Sequence, residues 1–543
     1  MSIEKDREVD IEKRSSVDIN QREEETIPPP YFSNSLTKRL LSWGVESRGI
    51  SPVPPSQRTD TSYYKLFFLW FTMNLNILSF SAGTLGPVAY GLGIRESCLV
   101  ILFFNGLCCA PPAYFATWGP KLGMRQMVQA RYSFGYYGVI LVCVFNLINM
   151  VGFCILNAIL GGQTLASVTD GNLTWNAGIV IVVIISLALS FCGYAVLTWY
   201  ERIAWFPVLI VYLVALGLGG KYLNDVPATE PATTPTILSF ASTIAGYVIT
   251  YSPLASDFTI YFKPSVSRSV LVSNAVMNSN GDGVIYSTKI FLYTYFGLFI
   301  PIVSVQCLGA AFSAVALSPS LSSSSVPATW AQSYASLSVG GLLQSILSPA
   351  GRFGDFLTVL LSLSVAGNIA ATFYSIGLNM QLVLPVLIVV PRYVFSIVAT
   401  AIVLPLAIVG SHTFYSALED FLGLIGYWCS AFVAILLVEH LVFRKRYSSF
   451  RNLNQNDQGN HNVWTRFYPL SYWKTPSLLP SGLSAIAAGI ISFGLVVPSM
   501  SQIWFTGPIA EKTGDIGFEV AFVLAGLVYV CLRSMEVRLR GKL

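Results

Sequence analysis

The stretch Gly152 to Gln163, G-F-C-I-L-N-A-I-L-G-G-Q, sets one side-chain amide, Asn157, in a long and almost wholly apolar run. An amide in hydrocarbon has no water to satisfy it, so burial costs several kcal/mol unless it finds a partner. A chain that keeps such a group aims it at a cavity, here one where a small polar molecule crosses a membrane. Phe153 lies four residues earlier, on the same helix face. A ring beside an amide suits a flat heterocycle, because the ring stacks and the amide offers both donor and acceptor. Core packing also produces aromatics at this spacing. A second candidate is Asp257, an intramembrane carboxylate in A-S-D-F-T-I-Y (255–261). Such groups carry or gate ions, or they cap a helix end.

The elements that must position these groups are membrane helices. The chain has 543 residues, 54% of them hydrophobic and only 11% charged. Its mean hydropathy is +0.62, whereas soluble domains carry about 25% charged residues. Apolar runs of about 18–25 residues alternate with short polar stretches, which is the polytopic pattern. About twelve spans are expected: 65–92, 96–118, 138–162, 177–197, 203–222, 237–262, 289–316, 356–384, 393–410, 418–440, 481–503 and 517–533. Residues 1–60 read as a disordered cytoplasmic tail, charged and rich in proline. No signal peptide precedes the spans.

Lys and Arg concentrate in segments that face the cytoplasm if the N-terminus is inside, among them Lys121, Arg125, Arg131, Arg202, Lys263, Arg392 and Arg444. The sequon Asn172-Leu173-Thr174 then faces outward, with Asn172 as the glycosylation acceptor. Both termini are expected in the cytoplasm, and the plasma membrane is the expected location. The net charge of +5 is therefore a topology signal. No basic face with interleaved aromatics suggests nucleic acid. The nine cysteines lie in or beside spans without a C-x-x-C and read as packing residues. Three scattered histidines make no metal site. Hydrolase, metalloprotease and P-loop motifs are absent, so an enzyme is not expected, nor an organic cofactor or bound metal. The pairs Glu201-Arg202 and Glu439-His440 at span ends read as structural charges.

Three spans carry helix-breaking chemistry. The first has Gly83, Gly86 and Pro87 midway, with Asn76, Ser79 and Ser81 beside them. The sixth has Pro253, with Asp257 one turn on, and the eighth has Gly367-Asn368. Spans one and six are five apart. Transporters built from inverted five-helix repeats break the first helix of each repeat and bind cargo and coupling ion at the freed ends. Glycine and proline also serve as ordinary packing notches in membrane helices.

Several motifs in order, F-S-A-G-T-L-G-P-V-A-Y-G-L-G (80–93), G-P-K-L-G-M-R-Q-M-V-Q-A-R-Y-S-F-G (119–135), N-A-I-L-G-G-Q-T-L (157–165), A-S-D-F-T-I-Y (255–261) and I-G-Y-W with E-H-L-V-F-R-K (425–445), resemble the fungal purine–cytosine permeases of nucleobase–cation symporter family one. The resemblance runs from about residue 40 to the C-terminus. It implies an all-α fold of about twelve helices with leucine-transporter-like 5+5 inverted repeats (61–222 and 237–440). A cytoplasmic loop (444–478), two further helices (479–533) and a cytoplasmic tail (534–543) would follow. It also implies proton-coupled uptake of cytosine and purines by alternating access. Relatives carry vitamin B6 or other small heterocycles, and a non-transporting nutrient sensor is a further alternative. The family's base-holding Asn falls on Asn157, the preceding aromatic on Phe153, the stacking aromatic of span six on Tyr251 and the first-span Ser on Ser79. The family's N-N-I-P in span eight reads G-N-I-A here, so of its amide pair only Asn368 remains. Ala366 and Gly367 stand where a sodium-coupled relative has hydroxyls, so a proton is the expected coupling ion. The expected partners are a nucleobase-like solute and the lipid bilayer.

Overall fold

The computed structural model describes residues 49–169, 172–191, 200, 202–224, 231–264, 282–317, 328–445 and 467–540. Most of the predicted N-terminal tail, residues 318–327 and 446–466, and Cys192, Glu201 and His461 lie outside the described residues. The helices of more than ten residues are α1 (Tyr64–Asn74), α2 (Ile77–Ala89), α3 (Ile94–Cys108), α4 (Gln126–Ser167), α5 (Trp175–Phe191), α6 (Trp205–Gly219), α7 (Thr234–Ile249), α8 (Asp282–Ala316), α9 (Ala328–Leu347), α10 (Arg352–Val383), α11 (Arg392–Gly410), α12 (Phe414–Val438), α13 (Leu483–Ser499) and α14 (Gly517–Arg540). Each predicted span overlaps one or two of them. Among the described residues eight helices are long and apolar enough to cross a membrane, or nine if the bent pair α1–α2 counts as one; α5 and α13 are shorter apolar helices. Outward side chains such as Phe103 and Ile490 are more than half exposed, as lipid-facing positions are.

The first span is broken, and the break falls earlier than Gly83, Gly86 and Pro87 suggest. α1 and α2 meet at 56° across Leu75-Asn76. Asn76 is the N-cap of α2: its backbone is extended (φ −141°) and its Oδ1 accepts from the Ser79 N–H at 2.9 Å. Gly83 and Gly86 lie inside α2 and serve as notches. A Cβ at Gly83 would collide with the Gln306 backbone on α8, and one at Gly86 would press on Ser97 and Phe240. The sixth span is broken where Pro253 predicts: α7 ends at Ile249 and a 3₁₀ segment, Ser252–Phe258, continues it. The eighth is not broken. α10 runs unbroken for 32 residues, and Gly367 makes room for the ring of Tyr200.

α4 bends at Gly135 (φ 71°), which separates Gln126–Phe134 from the long span. The predicted tail boundary at residue 60 also moves: Arg58 is buried and donates to the carbonyls of Val53, Pro120, Lys121 and Leu122.

At the far end of α12, Glu439 is 1% exposed and lies 2.8 Å from Arg444 and 3.1 Å from Arg533 of α14. Tyr529 Oη also donates to it, at 2.9 Å. This is the structural role the sequence suggests for Glu439. Glu439→Ala removes the carboxylate from the buried Arg444 and leaves Arg533 only its second partner, Glu536 at 3.0 Å, which costs about 3–5 kcal/mol. A clear drop in the melting midpoint of the purified protein in detergent is expected, and an unchanged midpoint would contradict the assignment.

Candidate functional site: a cavity between two broken helices

The two breaks face each other. At the α1–α2 break, backbone carbonyls lose their helical partners, and in a membrane interior each must be satisfied internally. Side chains do this. Asn74 Nδ2 donates to Trp70 O (2.9 Å), Asn76 Nδ2 to Met73 O (2.6 Å) and Ser79 Oγ to Asn74 O (2.6 Å). Asn368 of α10 reaches across to give Met73 O a second donor at 2.9 Å. The Ile77 N–H, the first amide of α2, donates to Ser364 Oγ at 3.3 Å. The sixth span joins in: Tyr251 Oη donates to Asn74 Oδ1 (2.8 Å), and the Tyr247 and Ser79 hydroxyls lie 2.7 Å apart.

Between these breaks and the faces of α4 and α10 lies a cavity with an empty volume of about 400 Å³, including the part open to solvent. Phe153, Tyr251 and Asn368 line it, together with the polar side chains of Asn149, Thr372 and Ser375 and the apolar ones of Met73, Met150, Leu254 and Phe258. The Phe153 ring is held edge-on by Tyr247 (6.0 Å) and Phe421 (5.4 Å), and Tyr251 edge-on by Trp70 (5.4 Å). Two aromatic rings are thus fixed by neighbours and present to a cavity with amide and hydroxyl groups on its wall.

The remaining candidates lie elsewhere. Asn157 is fully buried beside the cavity without lining it; its Nδ2 donates to Phe153 O (2.8 Å) and at 3.4 Å to Asn368 Oδ1. Ser79 is also fully buried and does not line the cavity, since its hydroxyl is used at the break. Asp257 reaches out of the sixth span. Its Oδ1 accepts from the Gln126 N–H (2.8 Å), the first amide of α4. Arg125 donates to the Asp257 carbonyl (2.8 Å) and to Tyr374 Oη (3.1 Å). Asp257 therefore joins the sixth-span 3₁₀ segment to the starts of α4 and, through Arg125, to α10, one residue from cavity-lining Ser375.

Asn149 was missed by sequence reasoning. It precedes Phe153 by the same four residues that separate Phe153 from Asn157, so one face of α4 reads N-F-N at helical spacing. Asn76, three residues before Ser79, was likewise a readable cap signal.

A profile described as a permease for cytosine/purines, uracil, thiamine and allantoin matches residues 52–280 and 285–520. The chain belongs to this permease family. A purine-cytosine permease of Emericella nidulans is 32% identical over 505 residues, covering 92% of this chain and 90% of the relative. A vitamin B6 transporter of Saccharomyces cerevisiae is 28% identical over 548 residues, covering 93% and 90%. Among solved structures, a nucleobase-cation-symport-1 family transporter in a closed conformation with bromovinylhydantoin bound superposes with a TM-score of 0.64 at 15% identity, covering 90% of the permease and 95% of that chain. The shared fold is the leucine-transporter-like architecture expected from the broken spans one and six. The permease is a multi-pass membrane protein and a secondary transporter rather than an enzyme.

Substitution separates a cap from a proton carrier at Asp257. Asp257→Asn keeps an acceptor for the Gln126 amide, so uptake and its pH dependence should persist. Asp257→Ala should lower uptake about tenfold, because it deletes a charge-assisted cap. Loss of pH dependence in Asp257→Asn at normal surface abundance would make Asp257 the proton carrier instead.

Proposed function

We propose that the permease takes up a nucleobase-like heterocycle, of the cytosine and purine class, by proton-coupled alternating access. The observation that carries the reading is the cavity at the meeting of two broken helices, walled by the rings of Phe153 and Tyr251. A planar base stacks on such rings for about 1–3 kcal/mol each, while the amide and hydroxyl groups on the wall meet its polar edge. Freed helix ends around a central site are where carriers of this architecture hold cargo and rock one bundle against another.

The hydrogen bonds at the first break support a proton as coupling ion. A sodium ion there would need oxygen lone pairs. The Met73 carbonyl at the break already accepts from both Asn76 and Asn368, which takes up its two lone pairs. Vitamin B6 is the second reading, favoured by the transporter of that compound among the relatives.

The test is labelled cytosine uptake in a yeast lacking its own nucleobase permeases, with adenine, hypoxanthine and pyridoxine as competitors. Uptake is expected to rise with an inward proton gradient and to fall at least tenfold in Asn157→Ala at equal surface abundance. Uptake that follows an imposed sodium gradient and ignores pH reverses the ion assignment, and competition by pyridoxine alone reverses the cargo.

We further propose a plasma-membrane protein with both termini in the cytoplasm. Asn172 lies on the exposed turn between α4 and α5. Endoglycosidase treatment should increase the mobility of the wild-type protein but not of Asn172→Gln. A wild-type protein insensitive to the enzyme would argue against an outward-facing α4–α5 turn.

A further inference from the structure

α4 and α10 run antiparallel and are tied by amides at two levels. At one, Asn157 Nδ2 lies 3.4 Å from Asn368 Oδ1. At the other, Asn146 Nδ2 donates to Asn379 Oδ1 at 3.1 Å. Between them along both helices come Asn149 on α4 and Ser375 on α10, and both line the cavity. Each side chain is 1% exposed. Yet Asn149 Oδ1 and Ser375 Oγ have no hydrogen-bond partner among the described residues. Asn146 Oδ1 and Asn157 Oδ1 at the flanking levels also lack partners, but only the middle level, Asn149 and Ser375, lines the cavity.

A buried acceptor without a donor is costly, and a ligand removes that cost when it supplies the missing N–H. The neighbouring amides are less available. Asn368 Nδ2 is committed to Met73 O, and Asn157 Nδ2 to Phe153 O. We propose that Asn149 and Ser375 are the specificity-determining pair of the cavity and read an exocyclic amino group beside a ring nitrogen, so that the preferred cargo is an amino-substituted pyrimidine or purine. Asn149 Oδ1 accepts from the amino group. The amide N–H of Asn149 or the hydroxyl of Ser375 donates to the ring nitrogen, the two-point match by which an asparagine side chain reads adenine. The ring stacks between Phe153 and Tyr251. This rests on the transport reading above and adds to it which edge is recognised.

The experiment compares inhibition of labelled uptake by adenine and by purine, which lacks only the amino group, in wild type, Asn149→Leu and Ser375→Ala. The wild type should prefer adenine by about tenfold or more. Asn149→Leu should bring the two inhibition constants to within about twofold at equal surface abundance, and Ser375→Ala should weaken adenine about three- to tenfold. Unchanged preference in Asn149→Leu overturns the proposal. If that variant fails to reach the surface, Ser375→Ala decides, and unchanged adenine inhibition there overturns it. A wild type that carries hypoxanthine and ignores adenine keeps the transport reading and ends this one, whereas a wild type that carries no base ends both.

Discussion

Backbone polar groups inside a membrane protein cannot turn to water, and the α1–α2 break exposes several at once. The permease answers with asparagine. Asn76 and Asn368 place N–H donors on the Met73 carbonyl that the missing helical turn would have used, and Ser79 adds a hydroxyl to that of Asn74. Asn76 also caps the restarted helix. The site exists because the break is chemically satisfied.

The same bonds fix what surrounds the break. Asn368 belongs to α10 and Tyr251 to the second broken span, so the carbonyls and amides at the first break tie three parts of the fold together. Several functional side chains therefore have two duties. Tyr251 presents its ring to the cavity while its hydroxyl holds Asn74, and Asn368 lines the wall while its amide satisfies Met73. Substitutions here alter the shape of the site as well as its contacts. Asp257 illustrates the separation of levels: in sequence it is an ionisable group in a span, but in the fold it caps another helix.

Much of this was legible in the sequence. Hydropathy located the spans, Pro253 located the second break, and the spacing of Phe153 and Asn157 located the right face of α4. The first break was placed too late because glycine and proline were weighed above a capping asparagine. In a close-packed membrane bundle Gly83 is consumed by helix contact, while an N-cap at Asn76 marks where a helix restarts. Gly367 misled for the same reason, since it admits Tyr200 and α10 stays straight through it. The role of Ser364 at Ile77 and the vacancy opposite Asn149 depend on which residues face each other across helices distant in sequence, which periodicity along one helix does not contain.

Gly83 meets the Gln306 backbone, and Gly309 on α8 meets the Phe80 backbone on α2, with no side chain between them. Main chain seated on main chain at two successive heights leaves nothing to re-rotamerise. No side-chain rotation can loosen this contact, so a substitution at Gly83 or Gly309 would have to push the two helices apart.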